Sequence, residues 1–302
     1  MLKKISIIGG DLRNIELAKL YASENTTVYT YGFDNFFEKR EFENENIQYM
    51  KNNLIKCSTV LECVNASNYI ISAIPLSKDW KSINAPYIDE KIDLKDVINV
   101  ISEKNFVAGV IENDVEDVLV KNKNKVIDLM KNETLTIYNA IATVEGAIAK
   151  IIANTNITLY KSNILILGFG RIGKILANRL ENFGANVFCE ARKEKDFAWI
   201  NTLGYIPVDL EYLEKFVLEN EVNIIINTVP NLILTKKVLE KLNQEIYILD
   251  LASKPGGVDV EYAKNLGLSV EHYLGVPGKI ASKSLAKFIK EELEKSCFNT
   301  EK

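Results

Sequence analysis

Three glycines mark the chemistry most legible in this sequence. Gly168, Gly170 and Gly173 lie in the run Asn163–Gly173, NILILGFGRIG, at the GxGxxG spacing of a dinucleotide-binding turn. Gly168 allows the tight turn, Gly170 lets the backbone approach a pyrophosphate, and Gly173 lets the next helix pack closely on the strand. The pyrophosphate would rest on free N–H groups at a helix N-terminus, where aligned peptide dipoles amount to about half a positive charge. Arg171 and Ile172, inside the turn, are assigned with the glycines to the cofactor. The alternative is a Rossmann-like domain whose glycines serve packing alone.

Further along, Glu190-Ala191-Arg192-Lys193 stands where the second nucleotide-domain strand should end, and there cofactor choice is decided. If Ala191 is the tip, Arg192 and Lys193 suit the 2′-phosphate of NADP(H). If Glu190 is the tip, its charge opposes that phosphate by about 4 kcal/mol at 4 Å and an effective dielectric near 20. The reading taken is NADP(H), with NAD as the alternative. Thr228-Val229-Pro230 ends a later strand and can press its backbone against the nicotinamide ribose. Ala252-Ser253-Lys254-Pro255-Gly256-Gly257 follows the next strand and is placed for contact with nicotinamide and substrate, or is a plain turn. Near the N-terminus, Arg13 could fork onto a substrate carboxylate, and Asp11 is assigned with it to the substrate site, with capping of the following helix as the alternative. His272, the sole histidine, excludes multi-histidine zinc sites, and no metal is expected.

The elements that must position these groups are strands alternating with helices. Ile164–Leu167 suits a strand buried on both faces, and Ile172, Ile175, Leu176, Leu180 and Phe183 recur at helical spacing up to Gly184. Earlier strands are expected at Lys4–Ile8, Thr27–Tyr31, Tyr69–Ile74 and Val107–Ile111, with Ile137–Tyr138 a further candidate. Later ones are expected at Asn186–Cys189, Val222–Thr228, Tyr247–Leu251 and Leu268–Val270. Phe36–Asn53 reads as an irregular surface excursion. Thr143–Ala153 reads as a helix capped by Thr143, with Glu145 in its first turn as a candidate site residue. Gly275–Lys279 should open a C-terminal helix, Ala281–Leu293. The implied fold is α/β, with two Rossmann-like, doubly wound parallel-sheet domains flanking a cleft. A substrate or partner domain is expected over 1–140, the cofactor domain over 141–278, and over 279–302 a helix returning to the first domain.

At 302 residues the chain is long enough for two cores. With 37 basic against 41 acidic residues and a net charge of −4, it has no broad electrostatic footprint for nucleic acid or membrane. No apolar run nears the roughly 20 residues of a bilayer span, and no secretory signal opens the chain. Cys57, Cys63, Cys189 and Cys297 show no CxxC pairing, so they are read as reduced thiols of a cytoplasmic protein.

Five stretches in one order, Gly9-Gly10-Asp11-Leu12-Arg13, Thr143-Val144-Glu145-Gly146, the GFGRIG turn, Ala252–Asp259 and Gly275–Ala281, resemble the family of dipicolinate synthase A subunits over essentially the whole chain. The resemblance implies an enzyme of the mother cell of a sporulating bacterium. It would oxidise a dihydrodipicolinate-type intermediate of the lysine pathway to pyridine-2,6-dicarboxylate with NADP. It also implies a partner B subunit resembling flavoproteins; separately, a homo-oligomer is expected. The family's Ala-Arg pair matches Ala191-Arg192, whereas Glu190 departs from the small residue expected before it. Family basic positions fall on Arg13, Lys254 and Lys279, which with the Gly256 and Gly257 amides would hold the two carboxylates; Glu145 or water would take the proton. The competing readings are another two-domain NAD(P)-dependent dehydrogenase for a 2-hydroxy or amino acid, and a non-catalytic nucleotide-binding subunit.

Overall fold

Isoleucine-rich runs make the central strands. Lys4–Ile8 (β1, KISII) and Asn163–Leu167 (β7, NILIL) are buried from their second residue onward, as strands of a parallel sheet covered on both faces must be. In the computed structural model, which describes residues 4–37 and 52–298, each of these strands sits at the centre of its own six-stranded parallel sheet. The chain divides into two units, Met1–Tyr138 with Ala281–Lys302, and Asn139–Ile280.

The first unit adds β2 (Thr27–Tyr31), β3 (Leu54–Lys56), β4 (Tyr69–Ser72), β5 (Asn105–Ala108) and β6 (Lys125–Asp128), in the order β3-β2-β1-β4-β5-β6. The second adds β8 (Asn186–Ala191), β9 (Ile206–Asp209), β10 (Ile224–Asn227), β11 (Tyr247–Asp250) and β12 (Ser269–His272), in the order β12-β11-β10-β7-β8-β9. Both are the doubly wound Rossmann order, which reverses direction beside the first strand and leaves a crevice at the carboxyl ends there. Two apolar clusters fill each unit.

Several boundaries differ from the sequence reading. β5 begins two residues early and stops at Ala108, and β12 covers Ser269–His272 rather than Leu268–Val270. β8 runs on through Glu190 and Ala191. The short strands β3, β6 and β9 lack long apolar runs and carry no periodic signal. Ile137–Tyr138 is helical. One helix runs Glu133–Asn154, its start held by the Asn132 side chain, which accepts the Leu135 N–H at 3.0 Å. Thr143 is therefore no cap; it sits mid-helix and donates its hydroxyl to the Asn139 carbonyl at 2.9 Å. At 22 residues this is also a helix long and apolar enough to cross a bilayer, contrary to the expectation of none, although half of its apolar stretch is buried inside the fold. Polar residues at Asn139 and Thr143 disguise its length in the sequence. Most of the expected excursion Phe36–Asn53 lies outside the described residues.

Val276–Ile280 forms a short helix of its own, and the C-terminal helix is Ser282–Leu293. Ala286, Ile289 and Leu293 join Ile15, Leu17, Ala18 and Tyr21 in one core cluster of the first unit, and Phe288 stacks on Tyr138 with ring centroids 4.0 Å apart.

Candidate functional site

The crevice of the second sheet lies where β7 and β10 diverge. Gly168 follows β7 with φ +92°, and Thr228, following β10, donates its N–H and its hydroxyl to the Leu167 carbonyl at 2.9 and 2.8 Å. A Cβ on Gly168 would lie 2.6 Å from Val229 Cγ2 and 2.7 Å from Thr228 Oγ1, and one on Gly173 only 2.0 Å from the Gly168 carbonyl oxygen. Both positions thus need glycine for close packing. Gly170 differs, because a Cβ there would meet nothing within 4 Å. It begins the helix Arg171–Asn182, and no side chain caps that helix. That combination suits a dinucleotide pyrophosphate.

At the end of β8, Glu190 and Ala191 are buried while Arg192 and Lys193 are exposed. Glu190 is 1% exposed and turns under the glycine turn, where Oε2 accepts the Gly168 N–H at 3.0 Å. Its Oε1 has no hydrogen-bond partner among the described residues. Burial pushes this carboxyl above the ordinary range, opposed by the Gly168 N–H and the Arg192 guanidinium and reinforced by Asp209. The side chains offered to solvent at this strand end are therefore the two cations.

The ends of β10, β11 and β12 form a polar row, with Asn227 in register with Asp250 and Asp250 with His272. Asn227 and Asp250 are completely buried. Their hydrogen bonds tie Thr228-Val229-Pro230 to the loop from Ala252 to Gly257. In that loop the Gly256 N–H donates to the Ser253 carbonyl and the Gly257 N–H to Asp250 Oδ2, both at 2.9 Å. Neither amide is left over for a substrate carboxylate, which corrects the sequence reading. Ser253 and Lys254 are exposed. His272 ends β12 and donates Nε2–H to the Ala252 carbonyl at 2.7 Å. Asn227 and Asp250 fall in no motif of the sequence, though each is a lone polar residue closing an apolar strand, a signal of inward-facing polarity at the functional edge.

Of the other expected site residues, Glu145 is exposed and lies well past the first turn of its helix, so it has no N-terminal dipole to serve. Lys279 is exposed, donates to the Leu274 carbonyl at 2.9 Å and lies over the Tyr273 ring. Arg13 and Asp11 belong to the first unit. Asp11 caps the helix Leu12–Ser23 through the Arg13 N–H. Arg13, 6% exposed, forks its Nε and Nη2 onto the Asp11 carboxylate at 3.0 and 2.8 Å and also donates to the Ile74 carbonyl. The fork expected for a substrate is thus engaged inside the fold. A Cβ on Gly9 would meet Ile83 at 2.7 Å, and the Gly10 N–H donates to the Asn84 carbonyl at 2.8 Å. At the switch point of the first sheet the chain's own Ile83–Asn84 segment packs on Gly9 and Gly10, whereas at that of the second a Cβ on Gly170 would meet nothing within 4 Å.

Comparison with known proteins agrees with this division. Residues 4–130 match the N-terminal domain of the dipicolinate synthase A subunit. Residues 126–252 match the NAD-binding domain of D-isomer specific 2-hydroxyacid dehydrogenases. The dipicolinate synthase A subunit of Bacillus subtilis is 29% identical over 97% of this chain and 95% of its own length. The crystal structure of dipicolinate synthase from that organism superposes with a TM-score of 0.80 at 28% identity, covering 99% of this chain and 97% of that one. Over essentially its whole length this chain is thus similar to dipicolinate synthase A subunits. The crystal structure of the Bacillus halodurans relative gives the same TM-score at 26% identity, with 97% of each chain covered. The match over residues 126–252 makes the glycine turn part of a dehydrogenase-type, nicotinamide-binding domain, and the Bacillus subtilis relative is one subunit of a synthase.

Proposed function

We propose that this chain is the nicotinamide-dependent component of a dipicolinate synthase, oxidising a dihydrodipicolinate-type intermediate to pyridine-2,6-dicarboxylate with NADP⁺. The observation that carries the cofactor choice is the end of β8, where Glu190 is folded beneath the glycine turn and Arg192 and Lys193 are exposed. The substrate rests on the similarity to dipicolinate synthase A subunits.

Gly168, Gly170 and Gly173, with Arg171 and Ile172, would hold the pyrophosphate, and Arg192 and Lys193 the 2′-phosphate. Thr228, Val229, Pro230, Ala252 and Ser253 would lie along the nicotinamide end. NADP⁺, when bound, supplies the hydride acceptor, and aromaticity of the product drives the reaction forward. The chain's own work is orientation and exclusion of water. Lys254, exposed and without hydrogen bond or ion pair among the described residues, is the cation of the Ala252–Gly257 loop free to meet a substrate carboxylate. The proton released with the hydride passes to water or to an exposed carboxylate such as Glu145. A partner B subunit resembling flavoproteins, a homo-oligomer and a place in the mother-cell cytoplasm belong to the same proposal.

The test is the purified chain mixed with NADP⁺ and dihydrodipicolinate. NADPH absorbance should rise in step with pyridine product. Tight NADPH binding without turnover until a partner is added would instead assign this chain the role of a nucleotide-binding subunit.

A further inference from the structure

Asp250 is completely buried, and each hydrogen bond recorded to it comes from a donor. Oδ1 accepts from Asn227 Nδ2 at 2.7 Å and from the Ala252 N–H at 3.0 Å, and Oδ2 accepts from the Gly257 N–H at 2.9 Å. Asn227 in turn donates from Nδ2 to the Val229 carbonyl at 3.0 Å and accepts the Val229 N–H at 3.2 Å. These two side chains therefore set the path of both segments beyond β10 and β11. The backbone wraps them closely: a Cβ on Gly257 would fall 2.4 Å from Asn227 Nδ2, and one on Gly256 2.7 Å from Asp250 Oδ2.

Surroundings made of donors suit an acceptor-only carboxylate. Buried carboxylates are ordinarily paired with a cation, yet no lysine or arginine among the described residues forms an ion pair with Asp250. His272, its register partner, gives its Nε2–H to Ala252 instead. A negative charge without a cationic partner among the described residues thus lies at the strand ends where the nicotinamide would rest. The oxidised nicotinamide ring carries a positive charge and the reduced ring none, so this charge acts on one redox form alone.

We infer that Asp250 is a positioning residue whose buried charge biases the cofactor site towards oxidised nicotinamide, the form an enzyme that removes hydride must bind first. The inference rests on the reading that Thr228–Pro230 and Ala252–Ser253 hold the nicotinamide end. Its test is the separate measurement, by calorimetry at pH 8, of NADP⁺ and NADPH binding to the wild-type chain and to Asp250→Asn, which keeps the shape and removes the charge. Asp250→Asn should lose about three- to tenfold more affinity for NADP⁺ than for NADPH. Equal losses would mean a purely structural role and overturn the bias. Should that variant fail to fold, the wild-type chain decides: it should hold NADP⁺ more tightly than NADPH, and the reverse order overturns the inference. A wild-type chain that binds neither nucleotide overturns the cofactor reading itself, whereas binding of both with an unshifted ratio overturns the bias alone.

Discussion

Glu190 Oε2 accepts the Gly168 N–H at 3.0 Å, so the residue that departs from the family pattern at the strand tip is joined to the first glycine of the nucleotide turn. An acid at a strand tip ordinarily reaches for the ribose of NAD. Here the contact turns the carboxyl inward, and the exposed charges beyond it are cationic.

That arrangement predicts the response to Arg192→Ala. NADPH binding should weaken by about 1–3 kcal/mol, the range of a charge-assisted hydrogen bond, with little change for NADH. Titration of both nucleotides against both proteins gives the answer, and equal losses would remove Arg192 from the phosphate site.

Glu190→Gln should reveal the protonation preference of this carboxyl. Burial raises its pKa in the folded chain, so the stability it contributes is fully present below the ordinary carboxyl value and is lost as pH rises through the folded value. Thermal unfolding of the two proteins should nearly coincide at acid pH, and the wild type should fall behind the variant towards pH 8. A gap independent of pH would contradict the assignment.

The glycines of the turn should separate fold from binding. Gly173→Ala places a Cβ about 2.0 Å from the Gly168 carbonyl oxygen, so the helix must move; a loss of about 1–3 kcal/mol in stability is expected, as for overpacking generally. Gly170→Ala meets no protein atom within 4 Å and should cost no more than about 1 kcal/mol of stability, the loss of a favourable N-cap residue, while weakening both nucleotides. Denaturant melts paired with binding isotherms distinguish the two, and a Gly170→Ala chain that binds normally would place the pyrophosphate elsewhere.

Arg13→Ala should act on stability. It strips the Asp11 carboxylate of its fork and leaves the buried Ile74 carbonyl short of a donor, at a cost of about 1–3 kcal/mol. Nucleotide binding should be unaffected. A variant with normal stability and a raised KM for the dicarboxylate would return Arg13 to the substrate.

The glycine turn and the long isoleucine strands were legible because their signals are local: GxGxxG spacing and four-residue apolar runs. The doubly wound order followed from strands alternating with helices. What escaped depended on partners distant in sequence. Arg13 reads as a free cation until Asp11 and Ile74 are seen around it. The Gly256 and Gly257 amides read as donors until Ser253 and Asp250 take them. Asn139 and Thr143 interrupt an apolar pattern that packing carries through as one helix.

The discontinuity of the first unit has a consequence for how the protein is made. Its core includes Ala286, Ile289 and Leu293, which leave the ribosome after the whole of Asn139–Ile280. The domain translated first therefore waits for the last helix, while the nucleotide domain already has its full sequence. A chain stopped at residue 280 would carry an intact dinucleotide turn beside a half whose apolar face on the helix Leu12–Ser23 stays uncovered, a species prone to aggregate rather than to fold.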